Sequence, residues 1–273
     1  MLTAARAALA LRRTWWRVRD YAYVLHRQAV GVLARGGPEG YLDPDPREHP
    51  DVVLVPGVYE SWQFLRPLAD ELHARGHAVH VLPALGYNRG PVESAAAVLG
   101  AHLRSADLRD VVVVAHSKGG LIGKLAMIRH DPDRRIARML AVATPFGGSS
   151  LARLVPLRAV RAFLPTDPTI AALAVERSVN ARITSAYSHW DPHIPAGSVL
   201  PGARDNVELA TPGHFRVLTD PRLVDVVLAA VRAEAAQADP PAQAGADDRD
   251  DDRADDRADD RAADPAAGAG GRP

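Results

Sequence analysis

From Asp51 onward, short and nearly continuous β-branched runs alternate with longer stretches of helical periodicity, and this alternation constrains the fold more than any other feature. The runs are Val52–Val55, Ala78–Leu82, Val111–Ala115, Met139–Ala143, Ile183–Ser188 and Val207–Ala210. Runs that are apolar on both faces suit strands of a parallel sheet covered by helices on both sides. Helices are predicted between them at Phe64–Arg75, Val92–Ser105, Lys118–His130 and Pro221–Ala236. The resulting β-α-β-α order reads as one doubly wound α/β domain over residues 47–238, with a mostly parallel sheet. Two amphipathic stretches within about 151–180, separated by Pro165-Thr166-Asp167-Pro168, interrupt the alternation. They are expected to form a small helical cap above the C-terminal strand ends, where open α/β sheets bind ligands.

The flanks differ from this body. Residues 1–35 carry seven Arg and only Asp20, a net of +6. Leu9, Trp16, Tyr23 and Val30 recur there at heptad spacing, which predicts an amphipathic helix, followed by a linker through Gly36-Gly37-Pro38 and Asp43-Pro44-Asp45-Pro46, residues 1–46 in all. The favoured reading packs this helix on the domain or over its entrance. The second lays it on an anionic membrane as a peripheral contact. Residues 239–273 hold eleven Asp and five Arg, repeat Asp-Asp-Arg-Ala at 251–254, 255–258 and 259–262, and lack large apolar residues. Without apolar surface to bury, this acidic tail is expected to be disordered.

Composition excludes several classes of function. Lys+Arg and Asp+Glu both number 33, so no global field points to nucleic acid. The absence of cysteine removes disulfides, thiolate zinc sites and cysteine nucleophiles. The run Ala7–Leu11, bounded by Arg6 and by Arg12-Arg13, is too short for a signal-peptide core, and a cytoplasmic location is expected. His73, His77 and His80 straddle a helix end and opposite strand faces, so they are not expected to converge on a metal. No metalloprotease, phosphate-loop or dinucleotide fingerprint is present, and neither metal nor cofactor is expected.

The chemistry is concentrated in Val111-Val112-Val113-Val114-Ala115-His116-Ser117-Lys118-Gly119-Gly120. A serine on a sharp strand-to-helix turn needs small residues two positions to either side, here Ala115 and Gly119, and exposes its hydroxyl at the top of the sheet. Serine becomes nucleophilic only when a base takes its proton and a third group orients that base. In the order Ser, acid, His, the base is expected at His214, in the loop after the last strand. Asp191, which ends the run Ile183–Trp190, is the expected acid, ahead of Asp205, Glu208 and Asp167. His189 and His193 are expected to be polar loop residues. Negative charge on a reacting carbonyl oxygen needs preorganised N–H donors. These are expected from the amides of Val58, on the Pro56-Gly57-Val58-Tyr59 loop, and Lys118. Tyr59 and Trp62 either line an acyl pocket or are half-buried aromatics.

With these residues in place, the chain resembles a bacterial lipase or esterase of the α/β-hydrolase superfamily over about residues 50–236. The matched features are the loop at 55–59, the Ala115–Gly119 elbow, Ala143-Thr144-Pro145-Phe146-Gly147-Gly148-Ser149, the Asp191-Pro192-x-x-Pro195 turn and Gly213-His214. The His-Gly pair common in the oxyanion loop of lipases appears here as Pro56-Gly57. The resemblance implies a cofactor-free serine hydrolase acting on a carboxylic ester, small-molecule or lipid, through an acyl-enzyme. Two alternatives are an acyltransferase on the same fold and a non-catalytic binding protein of that fold.

Overall fold

Side chains alternate across a strand, so a strand apolar at every position must be covered on both faces. The computed structural model of the protein, which describes residues 2–34, 36–42 and 49–238, shows this arrangement. Six strands, β1 (Val52–Val55), β2 (Val79–Val81), β3 (Val111–His116), β4 (Ile136–Val142), β5 (Ile183–Ser188) and β6 (Asp205–Leu209), form one sheet. Their order is β2-β1-β3-β4-β5-β6, and every neighbouring pair is parallel.

The helices are α1 (Leu2–Leu33), α2 (Arg66–His73), α3 (Val92–Ser105), α4 (Lys118–Arg129), α5 (Arg158–Arg161), α6 (Pro168–Val175) and α7 (Pro221–Ala238). Val53, Val55, Val113, Ala115, Met139 and Ala141 face one core layer with α3, α4 and α6. Val52, Leu54, Val112, Val114, Leu140 and Val142 face the other, with α2 and α7. The β-branched runs thus form the central sheet because each successive residue has its own apolar layer to enter.

Boundaries moved where local backbone chemistry intervened. β4 starts at Ile136 and stops at Val142, because Ala143 turns the chain with a φ of 50°. The stretch expected as one helix at 64–75 divides into a 3-10 turn, Trp62–Leu65, and then α2. Residues 150–175 form a 3-10 turn, α5 and α6. Asp167 caps α6 by accepting from the amides of Thr169 and Ile170. The fully buried Lys124 of α4 donates from Nζ to the carbonyls of Leu173 and Glu176, 2.8 Å each, and so ties the C-terminal end of α6 to the domain. Burial lowers the Lys124 ammonium to a pKa of about 8. The linker residues 43–46 and the tail from 239 lie outside the described residues.

α1 packs through the row Trp16, Asp20, Tyr23 and Arg27, spaced to share one face. Tyr23 meets Phe64 edge-on at 6.0 Å, and the Arg27 guanidinium donates to the Gln63 carbonyl at 2.7 Å. Among the described residues, no helix is long and apolar enough to cross a membrane.

Candidate active site

A parallel sheet sends every strand C-terminus to one edge, so the loops after β1, β3, β4, β5 and β6 converge there. β3 leaves this edge through Ser117, whose φ of 51° and ψ of −117° lie in a region L-residues rarely adopt. The turn is held by the Ser117 amide, which donates to the Val142 carbonyl at 2.8 Å. Gly119 is required for a different reason. A Cβ there would lie 2.2 Å from the Val55 carbonyl oxygen, so only glycine lets α4 start this close to β1.

The elbow brings Ser117 to the loop after β6. Ser117 Oγ lies 2.9 Å from His214 Nε2, and His214 Nδ1 lies 2.7 Å from Asp191 Oδ2. The other Asp191 oxygen accepts from the amides of His193, at 2.7 Å, and Ile194, at 3.1 Å, so the carboxylate cannot swing away from the ring. Burial alone would lower the pKa of His214, but the charge and hydrogen bond of Asp191, with Asp20 and Glu60 further off, outweigh it and hold the imidazole above its ordinary value. Burial would raise Asp191, yet His214 and the His193 amide hold it below the carboxylate range.

Three buried groups that the sequence reading did not single out hold this arrangement in place. Asp20, on α1, is 0% exposed. Its carboxylate accepts from three successive amides, those of His214 (3.0 Å), Phe215 (3.0 Å) and Arg216 (2.8 Å), and so fixes the loop that carries His214. A Cβ on Gly213 would lie 2.3 Å from Asp20 Oδ1, which accounts for glycine before the histidine. The available signal was that Asp20 is the single acid among the arginines of residues 1–35.

Glu60 and His116 form the other support. Glu60 accepts from the Gly57 amide at 2.6 Å and faces His116 Nδ1 at 3.0 Å, while His116 Nε2 lies 3.1 Å from the His214 carbonyl oxygen. A carbonyl oxygen only accepts, so Nε2 is the donor in that contact. This pair links the loop after β1, the elbow and the His214 loop.

Of the two residues expected to supply oxyanion donors, Lys118 follows Ser117 in the chain and Val58 lines the same cavity as Ser117. Lys118 opens α4, where the first amides have no partner within the helix. Because Glu60 takes the Gly57 amide, Val58 carries the next N–H of its loop, and the Gln28 side chain of α1 fastens that loop by donating to the Tyr59 carbonyl at 2.6 Å. Gly57 is needed less for an unusual φ than for closeness, since a Cβ there would meet the Glu60 carboxylate at 2.9 Å. The Lys118 side chain turns inward and donates to the carbonyls of Asn88 (2.8 Å) and Gly90 (2.5 Å), and burial lowers its pKa to about 8.

A cavity of about 510 Å³ opens over Ser117 and His214. Its wall is largely apolar, with Val58, Leu151, Val155, Val160, Phe163 and Ile194 prominent. α1 closes one side with Arg17, Tyr21, Val24 and Gln28. Tyr59 lines the cavity, but Trp62 does not; its ring packs against Tyr41 at 6.1 Å because the 3-10 turn directs it into the core layer under α2. His193 lies in the loop after β5 and lines the cavity wall, its ring 4.9 Å from that of His214. Burial, reinforced by His214, lowers His193 to a pKa of about 3 and keeps it neutral, and its Nε2 is buried without a hydrogen-bond partner. His189 lies edge-on to Trp16 at 5.5 Å and so belongs to the seat of α1.

No family model and no curated protein matches the chain. Among solved structures, it is similar to the mature form of a lipase from Bacillus licheniformis, with a TM-score of 0.53 and 18% identity over 68% of this chain and 93% of that one. The chain has the α/β-hydrolase fold. The propeptide form of the same Bacillus licheniformis lipase aligns with this chain at a TM-score of 0.52 and 19% identity. That match covers 68% of this chain and 52% of the propeptide form, so the chain spans about half of the longer protein.

Proposed function

We propose that the protein hydrolyses a carboxylic ester through a serine acyl-enzyme. The observation that carries this reading is the continuous hydrogen-bonded row from Asp191 through His214 to Ser117, at 2.7 and 2.9 Å, opening into an apolar cavity. In it, His214 Nε2 accepts the Ser117 proton as Oγ attacks the ester carbon, and the amides of Val58 and Lys118 receive the oxyanion. The imidazolium, stabilised by Asp191, then returns the proton to the departing alkoxide, leaving the acyl group on Ser117. Water, deprotonated by the same histidine, attacks the acyl carbon; the acid leaves and the serine is restored. The apolar wall favours an acyl chain. The placement of α1 against this cavity supports the reading that the head is part of the enzyme.

The test is labelling with a fluorophosphonate together with turnover of p-nitrophenyl esters of graded acyl length. Labelling of the native chain that disappears in Ser117→Ala, with turnover depending on acyl length, is expected. Absence of both would leave a binding protein as the better reading.

A further inference from the structure

α1 has three faces with separate fates. At 3.6 residues per turn, Trp16, Asp20, Tyr23 and Arg27 form the face packed on the domain, and Arg17, Tyr21, Val24 and Gln28 form a row facing the cavity. The third row is Ala4, Ala8, Leu11, Trp15, Val18, Ala22, Leu25, Ala29 and Val32, each exposed and spaced alternately by three and four residues. Leu11 is 73%, Trp15 59% and Leu25 71% exposed, so an unbroken apolar seam runs along the helix with nothing among the described residues covering it. On the helix circumference it lies roughly a third of a turn from the cavity-facing row.

The charges beside the seam indicate what covers it. α1 contains six arginines, at 6, 12, 13, 17, 19 and 27, and one acid, Asp20, which is turned inward and used by the His214 loop. Arg12 and Arg19, both exposed, each follow a seam residue directly in sequence and flank it on one side. A second copy of the helix would place these arginines against their own counterparts when antiparallel, or against Ala7 and Thr14 when parallel, with no acid in either pairing. An apolar stripe edged by unopposed guanidinium groups instead complements a surface that is apolar within and anionic at its rim.

We propose that the outer seam of α1 docks on an anionic lipid bilayer. The helix then lies along the membrane, and the cavity-facing row is brought beside the bilayer. Given the ester chemistry proposed above, the substrate delivered there is a membrane lipid ester or its cleaved derivative. Docking itself does not depend on that chemistry.

Cosedimentation with phosphatidylcholine vesicles, with and without phosphatidylglycerol, tests it on the full chain and on Leu11→Glu/Leu25→Glu. The native chain is expected to bind the anionic vesicles, with binding weakening as salt rises. The double variant is expected to partition at least about tenfold less. Both should turn over a soluble p-nitrophenyl ester equally and give the same circular dichroism, which separates failure of docking from failure of the ester reading or of folding. Equal vesicle binding by the two chains, or equal binding of the native chain to both vesicle types, would overturn the proposal. Equally decisive against it is a native dimer that the double variant converts to monomer in sedimentation velocity, since the seam then belongs to a second copy.

Discussion

Ser117 is held in a costly backbone conformation by its neighbours, and the neighbours rather than the serine bear the structural demand. Replacing its hydroxyl should therefore remove chemistry and leave the fold intact. Ser117→Ala and His214→Ala are each expected to lower kcat by about 10⁴-fold or more, with the double variant scarcely worse than either single. Steady-state kinetics alongside thermal melts measures both outcomes. The pH profile follows from the environment of His214. The base must be neutral to accept a proton, and its pKa is raised, so kcat/KM should rise with pH through a midpoint above the ordinary histidine value of 6.5. Because Asp191 supplies much of that upward pull, Asp191→Asn should move the midpoint down as well as lowering kcat. A midpoint unmoved by this change would mean that another group titrates.

At the scale of elements, the site is where several secondary structures meet at distances that admit no extra atoms. Gly119→Ala places a methyl group against the Val55 carbonyl, backbone that cannot yield, and should destabilise the chain by about 3 kcal/mol or more as read by urea unfolding. Asp20 couples α1 to the His214 loop. Asp20→Ala leaves three amides of that loop without their acceptor, and a displacement of the base by about 1 Å is enough to cost roughly 10²-fold in kcat. The expected pattern is a fall in kcat with a smaller change in KM, partly restored in Asp20→Asn, which keeps one acceptor oxygen. Lys124→Met should act elsewhere. It releases the carbonyls at the end of α6, whose Ile170 and Leu173 share a core cluster with the cavity-lining Ala152 and Phe163, and is expected to alter KM for long acyl chains more than kcat for short ones.

Across the whole molecule, the two core layers and the six-stranded sheet are built almost entirely without α1, whose buried face is polar at Asp20 and Arg27. The proposed chemistry, in contrast, is expected to depend on it, because α1 holds the His214 loop, fastens the loop after β1 through Gln28 and closes one side of the cavity. A chain starting at Gly36 should still melt cooperatively by circular dichroism yet lose at least about a hundredfold in ester turnover. Full turnover in that shortened chain would show that the helix is dispensable to the site.

The doubly wound sheet was legible from sequence because strand identity rests on a local pattern. Valine runs such as 52–55 and 111–114, separated by helical stretches, permit little except buried parallel strands. The elbow was legible for a similar reason: a strained turn restricts the residues two places away, and these are visible in the chain. Chain order suggested Asp191 and His214 as partners, but only the folded sheet brings the three side chains within hydrogen-bond reach. What sequence could not specify is contact between distant segments. Asp20 lies 194 positions from His214, and nothing local marks an acid on a basic helix as the acceptor for a loop at the other end of the chain. His193 reads as a polar loop residue until the cavity closes around it, and Trp62 is as suited to a pocket as to a core until the 3-10 turn aims it inward. Periodicity determines what a segment becomes, whereas burial against a remote partner determines which of its side chains the site can use.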